Sequence, residues 1–176
     1  MDFDLAHFKS RVEIAVRQII PADSADIHGF SLFSDSDGRS ISAAVNSRAH
    51  LERRMQAEPD EDLLYLKWYP AEWEREGVES AILDELSAEL FALELSGEAF
   101  EEHKRRLFDV IVSVLREARE DGLFKAFGDD FVLVFYITDD SEPERDAAWL
   151  EALNSPALFR EYRNWMASFA GDHEGA

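Results

Sequence analysis

No cysteine occurs among the 176 residues. That absence excludes disulfides, thiol catalysis and cysteine-ligated zinc. Basic side chains are also scarce: 18 lysines and arginines stand against 38 aspartates and glutamates, a formal net charge of −20 at pH 7. A surface so acidic repels nucleic-acid phosphates and anionic lipid headgroups, so neither is an expected partner. Long hydrophobic runs are missing as well. The longest, FVLVFYI at 131–137, falls far short of the ~20 residues that a membrane-spanning helix needs. The opening MDFDLAHFKS begins with acids and has no basic stretch leading into an apolar core. No secretory signal is expected from it, and the cytoplasm is the expected compartment. GxGxxG, P-loop and GxSxG sequences are absent too, which removes the usual signatures of dinucleotide, nucleoside triphosphate and α/β-hydrolase chemistry. His7, His28, His50, His103 and His173 show no HExxH or comparable ligand spacing.

What is present argues for a folded domain. Hydrophobic residues make up 46% and aromatic residues 12%, including 13 Phe and 4 Trp, which a disordered acidic chain would not carry. The length suits one well-formed core and is short for two, and no repeat, low-complexity segment or linker divides it. The acidic excess keeps a chain soluble, and it also favours and steers a basic protein partner.

Helical periodicity is clear in several segments. Leu5, Phe8, Val12, Val16, Ile19 and Ile20 form one stripe that closes at Pro21, with Asp2 and Asp4 at the positive end of the helix. His28, Phe30 and Leu32 alternate with Gly29, Ser31 and Phe33, and Ile41, Ala43 and Val45 alternate with small polar residues. These two runs predict a β-hairpin. Ser47 is placed to cap a short helix through Met55 that ends before Pro59. Leu64 to Tyr69 reads as a third strand, followed by a helical turn from Pro70. Helices are predicted over about 80–95 and 98–120, separated by Gly97, with Gly122 closing the second. FVLVFYITDD carries apolar residues on both faces and predicts a central strand covered on both sides. Ser141 and Glu144 have capping-box spacing for a helix to about Leu153. Ser155-Pro156 opens a last helix whose inner stripe is Phe159, Tyr162, Met166 and Phe169. The expected fold is α+β, a single domain spanning residues 1–176 with a small, mainly antiparallel sheet packed with several helices.

FSDSDGRSIS, residues 33–42, resembles a calcium loop at first sight. With Gly38 at the sixth position, Asp35 and Asp37 fall on the third and fifth, but Phe33 and Ala44 take the first and twelfth. Two essential ligands are therefore missing, and a hairpin turn accounts for the same residues. Asp139 and Asp140, which follow the apolar strand, would need Asp35, Asp37 or His28 beside them to hold magnesium. No metal ligand set and no cofactor is assigned. His7, His50 and His103 read as surface positions, and His28 as a hydrogen-bonded core or rim histidine. EEHKRR at 101–106 reads as a solvated helix face with pairs Glu101–Arg105 and Glu102–Arg106. The aromatic stretch YLKWYPAEW offers either a ligand pocket built from Tyr65, Trp68, Tyr69 and Trp73 or a core cluster beneath a loop.

The order of these pieces resembles a bacterial family known as domain of unknown function 4303. GFSLFSDSDGRSISAAVNS, YLKWYPAEWEREG and EDGLFKAFGDDFVLVFYITDDSE carry the likeness, which spans about residues 26–155. The resemblance implies a single-domain, cytoplasmic α+β protein with no settled activity, so no catalytic residue is carried over from it. Small acidic bacterial domains of this kind often accompany secreted toxins as their immunity proteins, an association by analogy.

The leading expectation is an acidic protein-binding module, in its most concrete form an immunity-type inhibitor of a basic bacterial effector. Its candidate contacts are Trp68, Tyr69 and Trp73, then Asp60, Glu61 and Asp62, then Asp139, Asp140, Glu142 and Glu144. The alternative is a small metal-dependent enzyme or ligand-binding protein using Asp35, Asp37, Asp139 and Asp140. A homodimer through an aromatic surface is compatible with the composition, although the high like charge opposes it.

Overall fold

The computed structural model describes residues 3–20, 26–57 and 62–171. Among them, seven α-helices and a four-stranded mixed sheet form an α+β fold. The sheet order is β3-β2-β1-β4, with β1 Ile27–Ser34, β2 Ser42–Ser47, β3 Arg75–Glu76 and β4 Val132–Ile137. β1 pairs antiparallel with β2 and parallel with β4, while β2 pairs antiparallel with β3.

The predicted hairpin is β1–β2. Its connection is a turn organised by Asp35, whose carboxylate accepts from the N–H groups of Asp37 and Arg39, each at 2.9 Å, and from the Ser40 hydroxyl at 2.7 Å. Gly38 takes φ +64° there, a conformation glycine adopts without strain.

Alternation along the strands gives the sheet two apolar faces. Phe30, Leu32, Ala43, Val45, Leu133 and Phe135 belong to the larger core. They pack with α1 Leu5–Ile19, α4 Ala81–Phe91 and α5 Gly97–Glu120. α1 starts where expected because Asp4 accepts from the N–H groups of Ala6 and His7, each at 3.0 Å; the expected stop at Pro21 lies outside the described residues. Ser47 caps α2 Arg48–Ala57, accepting from the N–H of His50 at 3.0 Å. Ala44, Val132 and Val134 line the opposite face beneath Trp68, Trp73, Leu150 and Leu158.

Four local expectations are corrected. Leu64 to Tyr69 is not a strand: it lies within and at the end of α3, Leu63–Trp68. Asp62 accepts from the N–H of Leu64 at 2.9 Å and caps it, and Tyr65 stacks on Tyr69 one turn later. β4 is buried on both faces yet lies at the edge of the sheet, because α6 Pro143–Leu153 covers that edge. α6 does not begin with the Ser141–Glu144 box. Pro143 sets its first turn, and the N–H of Glu142 donates to Asp146 at 3.2 Å. In the EEHKRR stretch of α5 the acid–base pairs run Glu101–Lys104, Glu102–Arg105 and Arg105–Asp109, not Glu101–Arg105 and Glu102–Arg106.

α7, Pro156–Gly171, opens with Ser155 accepting from the N–H of Leu158 at 3.3 Å. Its expected inner stripe is only half covered. Phe159 and Tyr162 pack on the second core, but Met166 and Phe169 are 41% and 49% exposed. The helix outruns the sheet that its first turns cover, and the rest of its apolar stripe faces solvent.

Candidate functional site

The exposed end of that stripe borders a groove of about 700 Å³. Its floor is the second half of β4, Val134 to Ile137, and one wall is Trp68 and Tyr69 at the end of α3 with Pro70 and Ala71 of the turn that follows. The facing wall is Tyr162, Trp165 and Met166 of α7, and the β4–α6 connection supplies the rim. Helical spacing explains the walls. On α7 the ring of Tyr162 stands 6.0 Å from Trp165, and Trp165 stands 5.4 Å from Phe169, so successive turns present aromatic rings to one side. α3 is held to α7 by the edge of Trp68 against Tyr162 at 5.4 Å and by the Trp165 indole N–H, which donates to the Asp62 carboxylate at 2.5 Å.

The electrostatics of the groove are one-sided. Glu76, Asp139, Asp140 and Asp146 line it, and no lysine or arginine does among the described residues. Arg145, behind the rim, pairs with Asp140 at 3.0 Å and Asp146 at 2.9 Å while its guanidinium lies 4.8 Å from the centre of the Trp149 ring. Asp139 and Glu76 have no cationic partner among the described residues. Asp139 sits at φ +58°, a left-handed conformation that Asp and Asn tolerate better than other side chains. The Tyr136 hydroxyl donates to Glu76 at 3.5 Å; burial, and then the nearby Glu76 carboxylate, push this phenol above its ordinary value. Burial also raises Tyr162. Both phenols stay neutral donors, so the groove offers aromatic faces, hydroxyls and carboxylates together.

Several side chains singled out in the sequence meet here. Trp68, Tyr69, Asp139 and Asp140 line the one groove although they lie on segments far apart in the chain. Glu142 and Glu144 are exposed at the start of α6, beside the same rim, and Glu142 also pairs with Arg145 at 3.4 Å. Asp62 is the cap of α3 and the acceptor of Trp165. Asp60 and Glu61 lie outside the described residues. Trp73 is buried, its ring pressed against Gly29 so closely that a Cβ there would stand 2.8 Å from Cη2. A visiting molecule therefore meets Tyr69, 45% exposed, rather than Trp73.

The hairpin acids do not join the groove. Asp35 spends its carboxylate on its own turn, and among the described residues no three histidine or acidic side chains gather as a metal-binding group. His28 is buried, as expected, but among the described residues neither ring nitrogen has a hydrogen-bond partner, which corrects the hydrogen-bonded reading. A register shift between Ile27 and Gly29 interrupts the alternation at this point. His103 is half-buried rather than a surface residue, edge-on to Phe3 at 5.1 Å.

Sequence reasoning missed the α7 wall, Trp165 and Met166, and the pair beneath it. Lys67 donates to Glu161 at 2.6 Å, and the Trp68 indole N–H donates to the same carboxylate oxygen at 3.3 Å. The heptad-like spacing of Phe159, Tyr162, Met166 and Phe169 was visible, but spacing does not reveal which part of a stripe the fold leaves uncovered.

A family model described as Domain of unknown function (DUF4303) matches residues 9–155, most of the chain, and the chain belongs to that family. No curated protein and no solved structure matches it.

Proposed function

We propose that this member of the DUF4303 family is an acidic protein-binding module that docks a basic protein partner in the groove between α3 and α7. In its most concrete form it is an immunity-type inhibitor of a basic bacterial effector. One observation carries the reading: solvent-facing aromatic and methionine side chains share the groove with four carboxylates, two of which, Glu76 and Asp139, have no cationic partner among the described residues. Aromatic residues and Met are enriched in the buried centres of protein interfaces, where they supply most of the affinity. Carboxylates at the rim speed the encounter with a basic surface and reject acidic ones. The net charge of −20 extends the same field over the whole molecule.

An inhibitor of this type can occupy the cationic surface on which a nuclease holds phosphate, so that its acids stand in for the substrate's charge. The reading places the module in the cytoplasm, where it would meet such an effector; among the described residues no helix is long and apolar enough to cross a membrane. A second copy of this chain is a poorer occupant than a basic protein, because two molecules of this charge repel.

The test is affinity capture from the source organism at low and high salt, followed by titration with the purified captured protein. One basic protein should be enriched, released as salt rises, and lost with Tyr69→Asp, which puts a charge in the apolar wall. Enrichment of nothing at either salt, or capture unaffected by Tyr69→Asp, would overturn the proposal.

A further inference from the structure

We infer that the groove receives an arginine side chain of the partner, an inference that rests on the protein-binding reading above and specifies its contact chemistry. The acids of the groove are not equivalent. Asp140 and Asp146 are already paired with Arg145. Asp139, on the turn after β4, and Glu76, on β3, are left without a cation among the described residues, and both border the same volume. A cation entering the groove therefore meets two unspent carboxylates that arrive from different elements.

The walls decide which cation. Tyr69, Tyr136, Tyr162 and Trp165 surround the space. An ammonium group is a strongly hydrated point charge, and sliding it between rings strips its water. A guanidinium is planar, more weakly hydrated, stacks on aromatic faces and forks onto carboxylates with its edge. The molecule already uses this combination next door: Arg145 lies over Trp149 while its N–H groups pair with Asp140 and Asp146. The groove repeats those ingredients, aromatic rings and carboxylates without a cationic partner, but among the described residues it has no arginine in its lining. The Tyr136 and Tyr162 hydroxyls, kept neutral, add acceptors for the remaining guanidinium N–H groups.

The geometry opposes the other candidates for this charge. Anionic ligands are repelled by all four lining acids. A divalent ion needs several oxygens gathered on one point, and no such group of three is present among the described residues.

The inference is tested by titrating the full chain, 15N-labelled, with the peptide acetyl-Ala-Arg-Leu-Arg-Ala-amide and with its citrulline counterpart, which keeps the shape and removes the charge. The arginine peptide should bind saturably, shifting the Trp165 indole signal and the amides of Thr138 to Ser141. The citrulline peptide should bind about tenfold more weakly or worse, and the lysine peptide should fall between them. Asp139→Asn with Glu76→Gln should weaken the arginine peptide about tenfold while leaving the thermal midpoint unchanged, since Asn tolerates the backbone that Asp139 adopts. Equal binding of arginine and citrulline peptides overturns the inference. So do shifts that map away from the groove, or no saturable shift on the order of 10 mM peptide. The same double variant separates this failure from failure of the docking reading. If capture is lost with Tyr69→Asp but persists with Asp139→Asn/Glu76→Gln, the groove docks a protein without needing the arginine; if neither variant changes capture, both readings fall.

Discussion

The side-chain amide of Asn154 pairs with the main chain of Leu133 as a neighbouring strand would. Its Nδ2 donates to the Leu133 carbonyl at 2.7 Å, and its Oδ1 accepts from the Leu133 N–H at 2.9 Å. Nδ2 also donates to the carbonyl of Leu150, so the same amide finishes α6. Among the described residues β4 pairs with β1 on one side alone, and Leu133 presents its polar groups to the other. Within the edge that α6 covers, this one buried residue therefore satisfies the main-chain groups of Leu133, which would otherwise invite another strand.

Replacing Asn154 with Leu keeps the bulk and removes both bonds. Each buried main-chain group left without a partner costs about 1–3 kcal/mol, so the variant should lose about 2–4 kcal/mol in urea unfolding. Asn154→Asp distinguishes the two bonds. An ionised carboxylate still accepts from the Leu133 N–H but cannot donate to the carbonyl, and the protonated acid can. Its deficit should shrink as pH falls. A Leu variant with the urea midpoint of the parent would show that Asn154 does not hold this edge.

His28 sets a second expectation, for stability against pH. Its pKa is pushed down to about 4 from 6.5, by burial first and then by Lys67 and Arg48, with Asp130 and Glu161 pulling the other way. The native ring is therefore neutral where the unfolded one takes up a proton. Its contribution is whole above pH 6.5 and is lost as pH falls from there towards about 4. At about pH 5 the loss is about 2 kcal/mol. The many carboxylates titrate too, but they do so equally in His28→Gln. Between about pH 7.5 and about pH 5 the parent should lose about 2 kcal/mol more than His28→Gln by urea unfolding. Parallel pH profiles for the two proteins would rule out a buried neutral His28.

The elements that were legible in the sequence are those whose pattern is long and local. α1, α5 and the β1–β2 hairpin each carry an apolar period sustained over several residues, and local caps such as Asp4 and Ser47 mark their ends. Leu64 to Tyr69 misled because six residues are too few to separate a period of 2 from one of 3.6. The Asp62 cap and the Tyr65–Tyr69 stack decide for helix. FVLVFYI read as a central strand because both its faces are buried. What covers its edge, α6 with Asn154, follows from packing rather than from the strand's own residues. The site divides the same way. Trp68, Tyr69, Asp139 and Asp140 stand out by residue type, yet their meeting in one groove depends on how α3, α7 and β4 pack together. No local signal links Lys67 to Glu161, which are 94 residues apart.

That pair gives the last prediction, because its two halves are not equally replaceable. The Lys67 side chain is 11% exposed and the Glu161 side chain 39% exposed. Removing the lysine leaves a carboxylate that can turn to water and still accept from Trp68. Removing the glutamate leaves a nearly buried ammonium without its counter-charge, and the Trp68 indole N–H without its acceptor. Breaking a fully buried pair costs about 3–5 kcal/mol; solvent contact at Glu161 lowers that figure here. Glu161→Ala should therefore destabilise by about 2–3 kcal/mol, and Lys67→Met by about 1 kcal/mol or less. Adding Lys67→Met to Glu161→Ala should recover part of the loss, since it removes the stranded charge. Equal losses from the two single variants, or additive losses in the double, would show that the pair is held by packing alone. The outcome also bears on the groove. Glu161 bonds to both Lys67 and Trp68 of α3, so its removal loosens α7 from the wall opposite, and any partner affinity that depends on the spacing of Tyr69 and Trp165 should fall with it.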